Sequence, residues 1–445
     1  MIRRLLARLA ASAPVRVFVL EGVNAPARIV DLRASERVAL LESPRSANVL
    51  LVVGQLPPAL HDAARRVHDM LSHPRATVAW TSGAAGDPFP GAMVIADSGD
   101  VIETLRQVQS DLVTGRRPSE PALLPDEDPA PWRGVGPYQQ GGTGMTGGVP
   151  YGRPMAGRAA DRDGLELDQI AIRVGPFFPP FPPGLTLDLR LQGDIVQDVS
   201  IGDNPFAQPA PSPGDRPASE LDPFRRALAE PVPIAELELA RARHHLDWMA
   251  RALRTHGLDR LGQRLAAMLP RLGPGAIDDV RALQRRLERT RGMGWSTAGI
   301  GVIAADRIAG QGLGPVARSA GLMEDARLQA AAYTGLDFQP IVQRGGDARA
   351  RWRQRLLEAA QSLELAGRAG DRRLEPARAV EGPHGLLTAG HDPVSSLLAV
   401  VPELLRDLEW GDAVTTIVSL DLDLRAAIGS APDARVPARP TEDAA

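Results

Sequence analysis

The chain has 445 residues and a formal net charge of −3, from 51 basic and 54 acidic residues, and 44% of its residues are hydrophobic. This length allows two or three domains with ordinary hydrophobic cores, and the balanced charge argues against a nucleic-acid-binding protein. Because the chain contains neither cysteine nor lysine, disulfides, thiolate-held metal centres, Schiff-base lysines and P-loop lysines are excluded.

The first ten residues carry arginines and apolar side chains at helical spacing. The apolar core of about 7–15 residues that a signal peptide requires does not follow them, and no stretch approaches the roughly 18–20 apolar residues of a membrane span. We expect a helix that packs on its own domain. The alternative is a helix that lies on a membrane or on a partner subunit.

Strand and helix signals alternate through the next hundred residues. Strands that alternate with helices are typical of a parallel sheet of the doubly wound type. The predicted strands are residues 15–20, 47–54, 76–80 and 92–96, and the predicted helices are residues 58–71 and 101–113.

Residues 116–160 are rich in proline, glycine and acidic side chains, which predicts an interdomain linker. A glycine-rich run at 141–148 resembles a phosphate loop superficially. No lysine follows it and no strand-then-helix frame surrounds it, so a phosphate site is not predicted.

The remaining chain begins with strands and continues with helices. Alternating apolar residues predict strands over 165–174 and 185–199, joined by a proline-rich connection at 175–184. A second proline-rich stretch spans 205–223, and the tail after residue 430 is polar and predicted to be disordered. The predicted helices are residues 234–256, 258–269, 277–290, 299–310, 347–365 and 393–407.

None of the eight histidines belongs to an HExxH motif or to another local metal-binding pattern. His244 and His245 are adjacent, so on a helix they point about 100° apart and cannot chelate one ion from one face. Ser82 and Ser98 lie outside any GxSxG motif. The sequence therefore predicts neither a metal site nor a serine hydrolase site.

The helix predicted from Asp347 places Arg351, Arg355, Glu358 and Ser362 on one face. A solvated charged face is the default interpretation of this pattern. The alternative is a buried polar seam, in which the arginines pair with Glu358 or with carboxylates of neighbouring helices.

Two parts of the sequence resemble a known family. Residues 42–54 resemble the small, cluster-bearing subunit shared by NADH–quinone oxidoreductase (respiratory complex I) and membrane-bound nickel–iron hydrogenases. The second half resembles the large subunit of the same complexes, first in residues 161–168, Gly175-Pro176 and residues 191–196. The ordered series continues with Arg241, His245-Leu246, Arg318, Gly321, Asp325, Arg327, Tyr333, Asp337-Phe338, Gly346-Asp347, Arg351, Arg355, Glu358, Ser362 and residues 381–385 and 419–421.

The resemblance implies a fusion of two subunit types. Residues 1–115 would form an α/β flavodoxin-like small-subunit-like domain, and residues 116–160 a Pro/Gly-rich linker. Residues 161–429 would form a mainly α-helical nickel–iron hydrogenase large-subunit-like domain with a small β-region, followed by a disordered tail over 430–445.

The chain departs from the family at its redox sites. The resemblance implies cysteines of a four-iron cluster within residues 21–24, near Gly83 and near Ser98, but the chain has no cysteine there. The cysteines that hold the nickel–iron centre in the family are absent as well. In the quinone-reducing branch, a G-P-x-H-P loop and a tyrosine hold the quinone headgroup. Here the loop reads Gly175-Pro-Phe-Phe-Pro, and no tyrosine occurs between Tyr151 and Tyr333. We expect Phe177, Phe178 and Phe181 to fill the vacated pocket.

These features imply a peripheral subunit without an iron–sulfur cluster or nickel–iron centre, on the cytoplasmic face of the cell membrane. It would have a structural or coupling role toward proton- or cation-conducting membrane subunits. The alternatives are an oxidoreductase subunit that still binds quinone and takes part in electron transfer, and a soluble ligand-binding protein. The predicted structural or coupling network consists of Arg351, Arg355, Glu358, Asp325, Arg327, Arg318 and His245.

Overall fold

The computed structural model describes residues 10, 12–23, 29–81, 88–96, 99–126, 157–160, 164–207, 222–289, 291–388 and 393–425. Residues 1–9 of the predicted N-terminal helix, residues 127–156 of the predicted linker and the predicted disordered tail lie outside the described residues.

The N-terminal part is built on a five-stranded parallel sheet with the strand order β2-β1-β3-β4-β5. Its central strands are continuous apolar runs because helices and loops cover both faces of the sheet. This order is that of flavodoxin-like sheets, and the predicted parallel α/β sheet is confirmed. Its strands are β1 (Val15–Glu21), β2 (Val38–Leu40), β3 (Val49–Val53), β4 (Ala76–Trp80) and β5 (Met93–Ile95).

Between residues 29 and 114, the structure describes three helices, of which the sequence predicts two. They are Ile29–Ala34 (α1), His61–Asp69 (α2) and Val101–Thr114 (α3). The α1 helix and β2 were missed because they span only six and three residues, too few for a periodicity to show. Helix α3 begins where the Asp100 side chain accepts a hydrogen bond from the Glu103 amide, and ends at the left-handed Gly115.

The start of the predicted linker packs against this first sheet. The Glu120 carboxylate accepts hydrogen bonds from the Thr77 amide at 2.9 Å and from the Thr77 hydroxyl at 2.7 Å. The Leu123 amide donates to Asp69 at 2.9 Å. The packed chain therefore continues beyond residue 115.

A second, antiparallel sheet follows, with the strand order β6-β7-β8-β9. Its strands are β6 (Arg158–Ala160), β7 (Glu166–Val174), β8 (Leu187–Gln192) and β9 (Ile195–Ile201). The single strand predicted over 185–199 is wrong, because a tight turn with left-handed Gly193 folds this stretch into a hairpin. Glycine takes that conformation at little steric cost.

The rest of the described chain is mainly helical, and a helical C-terminal region is confirmed. Its helices are Asp222–Arg226 (α4), Ile234–Thr255 (α5), Asp259–Met268 (α6), Ile277–Arg289 (α7), Arg291–Thr297 (α8), Ala305–Ile308 (α9), Gly314–Ser319 (α10), Ala348–Arg368 (α11), Pro393–Leu405 (α12) and Trp410–Leu420 (α13). Short strand pairs join Val232–Pro233 (β10) to Arg373–Leu374 (β11), and Ala379–Glu381 (β12) to Leu386–Thr388 (β13). Short 3-10 turns lie at Pro44–Ser46, Pro58–Leu60, Leu269–Arg271, Pro274–Ala276, Ala326–Gln329 and Ala331–Tyr333.

The helix predicted over 299–310 is wrong, since only α9 is helical there. Gly299 and Gly301 adopt left-handed conformations with φ of 74° and 55°. A Cβ atom at Gly301 would lie 2.5 Å from the Thr416 side chain. The glycines therefore serve a close approach between segments, which an apolar periodicity does not reveal.

Helix α11 lies at the centre of the helical part. It packs against α5, α7, α10 and α13, so that most of its surface faces other helices. This position explains why its charged face is buried. The predicted default of a solvated face is wrong, and the buried polar seam is what the structure contains.

Candidate functional site

The buried seam of α11 is held at its start by Asp347. One carboxylate oxygen of Asp347 accepts a hydrogen bond from the Ala350 amide at 2.7 Å, and the other accepts one from the Gly299 amide at 2.7 Å. This cap fixes the first turn of the helix against the 299–304 segment. Arg351, Arg355 and Glu358 then follow on the buried face.

Glu358 and Arg318 form the centre of an ion-pair network. The Arg318 guanidinium is fully buried and donates to both oxygens of Glu358, at 2.7 and 3.1 Å. It also donates to Glu381 at 2.7 Å and lies 3.0 Å from Asp325. Two-point pairing of this kind fixes orientation as well as charge.

Arg327 extends the network from Asp325 to Glu238. It donates to the two oxygens of Asp325 at 3.0 and 2.8 Å, and to Glu238 at 3.3 and 3.2 Å. Glu238 also accepts hydrogen bonds from the Tyr333 hydroxyl at 2.6 Å and the Ser362 hydroxyl at 2.7 Å. Each buried charge in this part therefore has a charged partner, as burial requires.

Sequence reasoning missed Glu238 and Glu381. Glu238 stands three residues before Arg241 and seven before His245, so these three side chains share one face of α5. That spacing is the signal that would have found it. Arg241 donates to the backbone carbonyls of Glu381 and Gly382, at 2.6 and 2.8 Å.

The carboxylates of the network differ in their proton affinity. Burial alone would raise the pKa of Glu358, but the charge of Arg318 and its hydrogen bonds to Glu358 hold that pKa well below its usual range. At Glu238, burial would likewise raise the pKa. The charges of Arg327 and Arg241 outweigh this effect, so the pKa of Glu238 is lowered. At Glu381, burial raises the pKa, and the nearby charge of Asp325 raises it further. These two effects outweigh the opposing charge of Arg318.

His245 lies against Glu358 with its Nε2 atom 3.4 Å from a carboxylate oxygen. Within the described residues, neither ring nitrogen makes a hydrogen bond, although the ring is buried. Burial lowers the pKa of His245 to about 4, and the opposing attraction of Glu358 is too weak to reverse it. The ring is therefore neutral at physiological pH.

Arg351 and Arg355 form a neighbouring cluster whose hydrogen bonds go to neutral acceptors. Arg351 donates to the Ser419 hydroxyl at 2.8 Å and to the carbonyls of Gly346 and Gly301 at 2.7 and 2.9 Å. Of the two kinds of partner considered for the arginines of this face, Glu358 is taken by Arg318 and not by Arg351. Burial and the charge of Arg355 lower the pKa of Arg351 to about 9.

Arg355 caps the end of α13. It donates to the carbonyls of Ser419 and Leu420 at 2.9 and 3.0 Å, and its Nε atom lies 3.4 Å from Asp421. The last carbonyls of a helix lack partners inside the helix and carry partial negative charge, so a cation is favourable there. The predicted network residues thus fall into two adjacent clusters, one around Glu358 and one around Ser419.

His244, His384 and Asp421 meet beside these clusters. The His244 Nε2 atom lies 2.8 Å from Asp421 Oδ2, and the His384 Nε2 atom lies 3.6 Å from the same oxygen. The two imidazole rings meet edge to face, with centroids 4.6 Å apart. Three such ligand atoms lie close enough together to hold a metal ion. The predicted divergence of the adjacent histidines holds, since His244 faces Asp421 while His245 faces Glu358.

Local sequence spacing could not reveal this group, because 140 and 37 residues separate its members. Burial and repulsion by His244 lower the pKa of His384 to about 4. Burial would raise the pKa of Asp421. The charges of His244 and His384 outweigh burial and hold this pKa well below its usual range.

The residues present do not fit an iron–sulfur cluster. Where the first cysteine position was expected, Glu21 pairs with Arg33 at 2.9 Å and with Arg425 at 3.0 Å. Gly83 and Ser98, near the other expected positions, lie outside the described residues. The chain has no cysteine to supply thiolates.

The loop at Gly175 packs apolar rings into the core. Phe178 contacts Phe181 edge to face, with ring centroids 5.0 Å apart. The centroids of the Phe178 and Phe181 rings lie 6.2 and 6.0 Å, respectively, from that of Trp410. Phe177 also packs against two groups of buried apolar side chains, one that includes Leu187 of β8 and one that includes Leu50 of β3. These rings are packed against their neighbours, and the expectation that they fill a vacated quinone pocket stays a prediction.

Within the described part of the chain, no helix combines the length and the apolar character needed to cross a membrane.

Comparison with known proteins gives a family match to part of the chain. Residues 274–402 match the family model described as respiratory-chain NADH dehydrogenase, 49 Kd subunit. No curated protein matches the chain. A chain in the structure of the membrane-bound sulfane sulfur reductase (MBS), an archaeal respiratory membrane complex, is similar with 17% identity and a TM-score of 0.45, over 58% of this chain and 98% of that chain.

The matched span carries Arg318, Asp325, Arg327, Glu358 and Glu381, and with them most of the ion-pair network. Residues 274–402 of this chain therefore resemble the 49 Kd subunit of the respiratory-chain NADH dehydrogenase, in agreement with the large-subunit resemblance seen in the sequence.

Proposed function

We propose that this chain is a peripheral subunit of a membrane complex that resembles complex I or the membrane-bound nickel–iron hydrogenases. In it, a small-subunit-like domain and a large-subunit-like domain are fused. The observation that carries the proposal is the match of residues 274–402 to the 49 Kd subunit family, over the part of the chain that contains the buried network. The flavodoxin-like strand order of the N-terminal sheet supports the small-subunit half.

The role we propose is structural or coupling, with no redox centre held by thiolates. The network joins Glu238 on α5, Arg318 on α10, Glu358 on α11 and Glu381 on β12 through buried charges. Displacing one of these elements would separate charges that have no water to replace their partners, so movement of one element is opposed by the others. Such a network suits the transmission of a conformational change to membrane subunits that conduct protons or other cations.

The two halves share an interface that supports their action as one unit. Arg33 donates to Asp247 on α5 at 2.9 Å, and Arg425 donates to Glu21 at the end of β1 at 3.0 Å. Val30 packs into the hydrophobic cluster that surrounds Trp248.

The alternative of a quinone-binding oxidoreductase subunit receives less support. By the resemblance, Phe178 occupies the loop position of the headgroup-binding histidine. Its ring cannot donate a hydrogen bond to a quinone oxygen, and it is packed against Phe181 and Trp410. We therefore propose that the chain does not hold a quinone headgroup in this loop.

The test is purification of the tagged full-length chain from native membranes in a mild detergent, followed by identification of the co-purifying proteins. We expect integral membrane subunits of the ion-conducting type in constant proportion. An unrelated soluble protein with the same tag is the control. Recovery of the chain alone, from the soluble fraction, would contradict the proposal.

The absence of a thiolate-held redox centre has its own test. We expect no acid-labile sulfide and no cluster-type visible absorption in the purified chain, and no quinone reductase activity of the isolated chain. Stoichiometric sulfide, or quinone reduction that is lost on substitution in the 175–181 loop, would move the function to the oxidoreductase alternative.

A further inference from the structure

We propose that His244, His384 and Asp421 bind a divalent transition-metal ion such as Zn²⁺. This site does not depend on the proposed membrane complex, and its donors differ in kind from the thiolates of the centres that the family resemblance implies.

The first observation is the convergence of three ligand atoms. Two imidazole nitrogens and one carboxylate oxygen lie within 4.8 Å of one another, and all three residues are buried. Ligands of a zinc ion lie about 2.0–2.2 Å from the metal, so their mutual distances fall near 3–4 Å. The distances of 2.8 and 3.6 Å from Asp421 Oδ2 to the two histidines need little adjustment to reach that range.

The second observation is an unpartnered nitrogen aimed into this group. The Nε2 atom of His384 makes no hydrogen bond to any residue that the structure describes, although the side chain is only 6% exposed. Buried polar atoms without partners are rare in folded proteins, and an unseen ion is one of the recognised explanations. This nitrogen points toward the carboxylate that His244 already contacts.

The backbone holds the three ligands independently of any ion. Asp421 lies at the end of α13 in the left-handed conformation, with φ of 56°. His384 precedes Gly385, where a Cβ atom would lie 2.1 Å from the Gly312 carbonyl, so the loop is pressed against a neighbouring segment. His244 projects from the long helix α5. Three separate rigid elements thus deliver the ligands, which favours a preformed site.

The donor set indicates the class of ion. Two imidazoles and one carboxylate suit Zn²⁺, Co²⁺, Ni²⁺ or Fe²⁺, whereas Mg²⁺ and Ca²⁺ favour sites of oxygen donors alone. Arg355 lies 3.4 Å from Asp421 and Arg251 lies 3.9 Å from it. Their charges offset that of the carboxylate, so the affinity of the site rests on the two imidazole donors, which suit Zn²⁺ and not Mg²⁺ or Ca²⁺. Three protein ligands leave at least one position on the ion open to another molecule.

The experiment uses the full-length chain without a histidine tag, freed of metal by a chelator. Zn²⁺ is titrated by calorimetry, and Co²⁺ is followed by its visible absorption. We expect one ion per chain and a Co²⁺ spectrum of nitrogen and oxygen ligands. Asp421→Asn, which keeps the shape of the side chain, and His384→Gln, which replaces the imidazole by a polar amide, should each weaken Zn²⁺ binding by about tenfold or more.

The matched control is His61→Gln. His61 makes one hydrogen bond to the Leu56 carbonyl, far from the group in sequence and in another part of the fold, so its replacement should leave Zn²⁺ binding unchanged. Circular dichroism and thermal unfolding without metal establish that each variant folds. X-ray absorption of the Zn²⁺-loaded wild-type chain gives a readout that needs no variant. Absence of saturable binding, equal binding by both ligand variants and the wild type, or a Zn²⁺ shell without two imidazoles would overturn the proposal.

Discussion

Arg351 shows how neutral hydrogen-bond acceptors can hold a buried arginine. Its guanidinium joins three chain segments by donating to the Gly301 and Gly346 carbonyls and to the Ser419 hydroxyl. These neutral acceptors return less of the cost of burying the charge than a carboxylate would, which is why the pKa of Arg351 is lowered. The residue therefore acts as a cross-link between backbone segments.

Substitution of this cross-link should destabilise the protein. Arg351→Ala removes the donor from two buried carbonyls, and we expect the free energy of unfolding to fall by about 3 kcal/mol. Arg353→Ala, on the exposed side of the same helix, removes an arginine that is 56% exposed and 3.6 Å from Glu288. This control should change stability by about 0.5 kcal/mol or less. Urea unfolding measures both, and equal effects of the two variants would contradict the interpretation.

His245 should make the stability of the fold depend on pH. Its pKa is lowered from 6.5 to about 4 by burial, with Glu358, His244 and Arg355 as its charged neighbours. Because the unfolded chain binds a proton near pH 6.5 and the folded chain does not, the stability present above that pH is lost as the pH falls toward 4. Between pH 7 and pH 5, His245 should account for a loss of about 2 kcal/mol.

The measurement is urea unfolding of the wild-type chain and of His245→Gln at both pH values. The variant should lose a smaller share of its stability between pH 7 and pH 5 than the wild-type chain does. If His245→Gln shows the same change as the wild type, then another group is responsible for the pH dependence.

At the scale of elements, glycine-mediated contacts decide how the network is assembled. Gly314 begins α10, the helix that carries Arg318, and a Cβ atom there would lie 2.6 Å from the Gly385 Cα atom. The Leu386 amide donates to the Gly312 carbonyl at 2.7 Å. These close contacts place Glu381 and Arg318 beside each other.

The close contact between the segments at Gly312–Gly314 and Gly385, here called the crossing, predicts that two glycine substitutions differ in their effect on stability. Gly385→Ala would force a Cβ atom to 2.1 Å from the Gly312 carbonyl, in a residue with φ of 136°. Gly370→Ala, with φ of 55° and no atom within 4 Å, has the strain of the backbone without the clash. We expect the free energy of unfolding to fall by more than about 3 kcal/mol in Gly385→Ala and by about 1 kcal/mol in Gly370→Ala. Thermal unfolding decides this, and similar melting temperatures for the two variants would contradict the role assigned to the crossing.

For the whole molecule, the contacts between the N-terminal and helical parts predict that they stay together without a covalent link. Arg33 lies between Glu21 and Asp247, both at 2.9 Å, and is largely buried. Cleavage at a protease site inserted within residues 127–156 should leave two fragments that co-elute in size-exclusion chromatography. Separate elution of two folded fragments would show that the interface is too weak to define one unit.

The same cleaved protein measures the contribution of Arg33. Arg33→Ala leaves two carboxylates near the interface without this partner, so the dissociation constant of the fragments should rise by about tenfold or more. Arg106→Ala removes an arginine whose side chain is 40% exposed and pairs with Glu103 on the same helix, and it should leave the association unchanged.

The sequence alone determined the class of fold and most of the long elements. Apolar runs bounded by glycine and proline predicted β1, β3, β4 and β5, and 3.6-residue periodicity predicted the long helices α5 and α11. These signals are local, because a strand or helix buries one pattern of side chains wherever it packs. The sequence also excluded thiolate chemistry, since composition needs no structure to interpret.

The tertiary structure decided which charges meet. Periodicity placed Arg351, Arg355 and Glu358 on one face of α11 but could not show that this face is buried, because burial depends on the helices that pack around it. It could not assign Glu358 to Arg318, nor bring His244, His384 and Asp421 together, since those pairings join residues far apart in the chain. A local pattern carries the preference of one segment, whereas an ion-pair partner is set by the packing of several segments, and in this protein the second decides the candidate site.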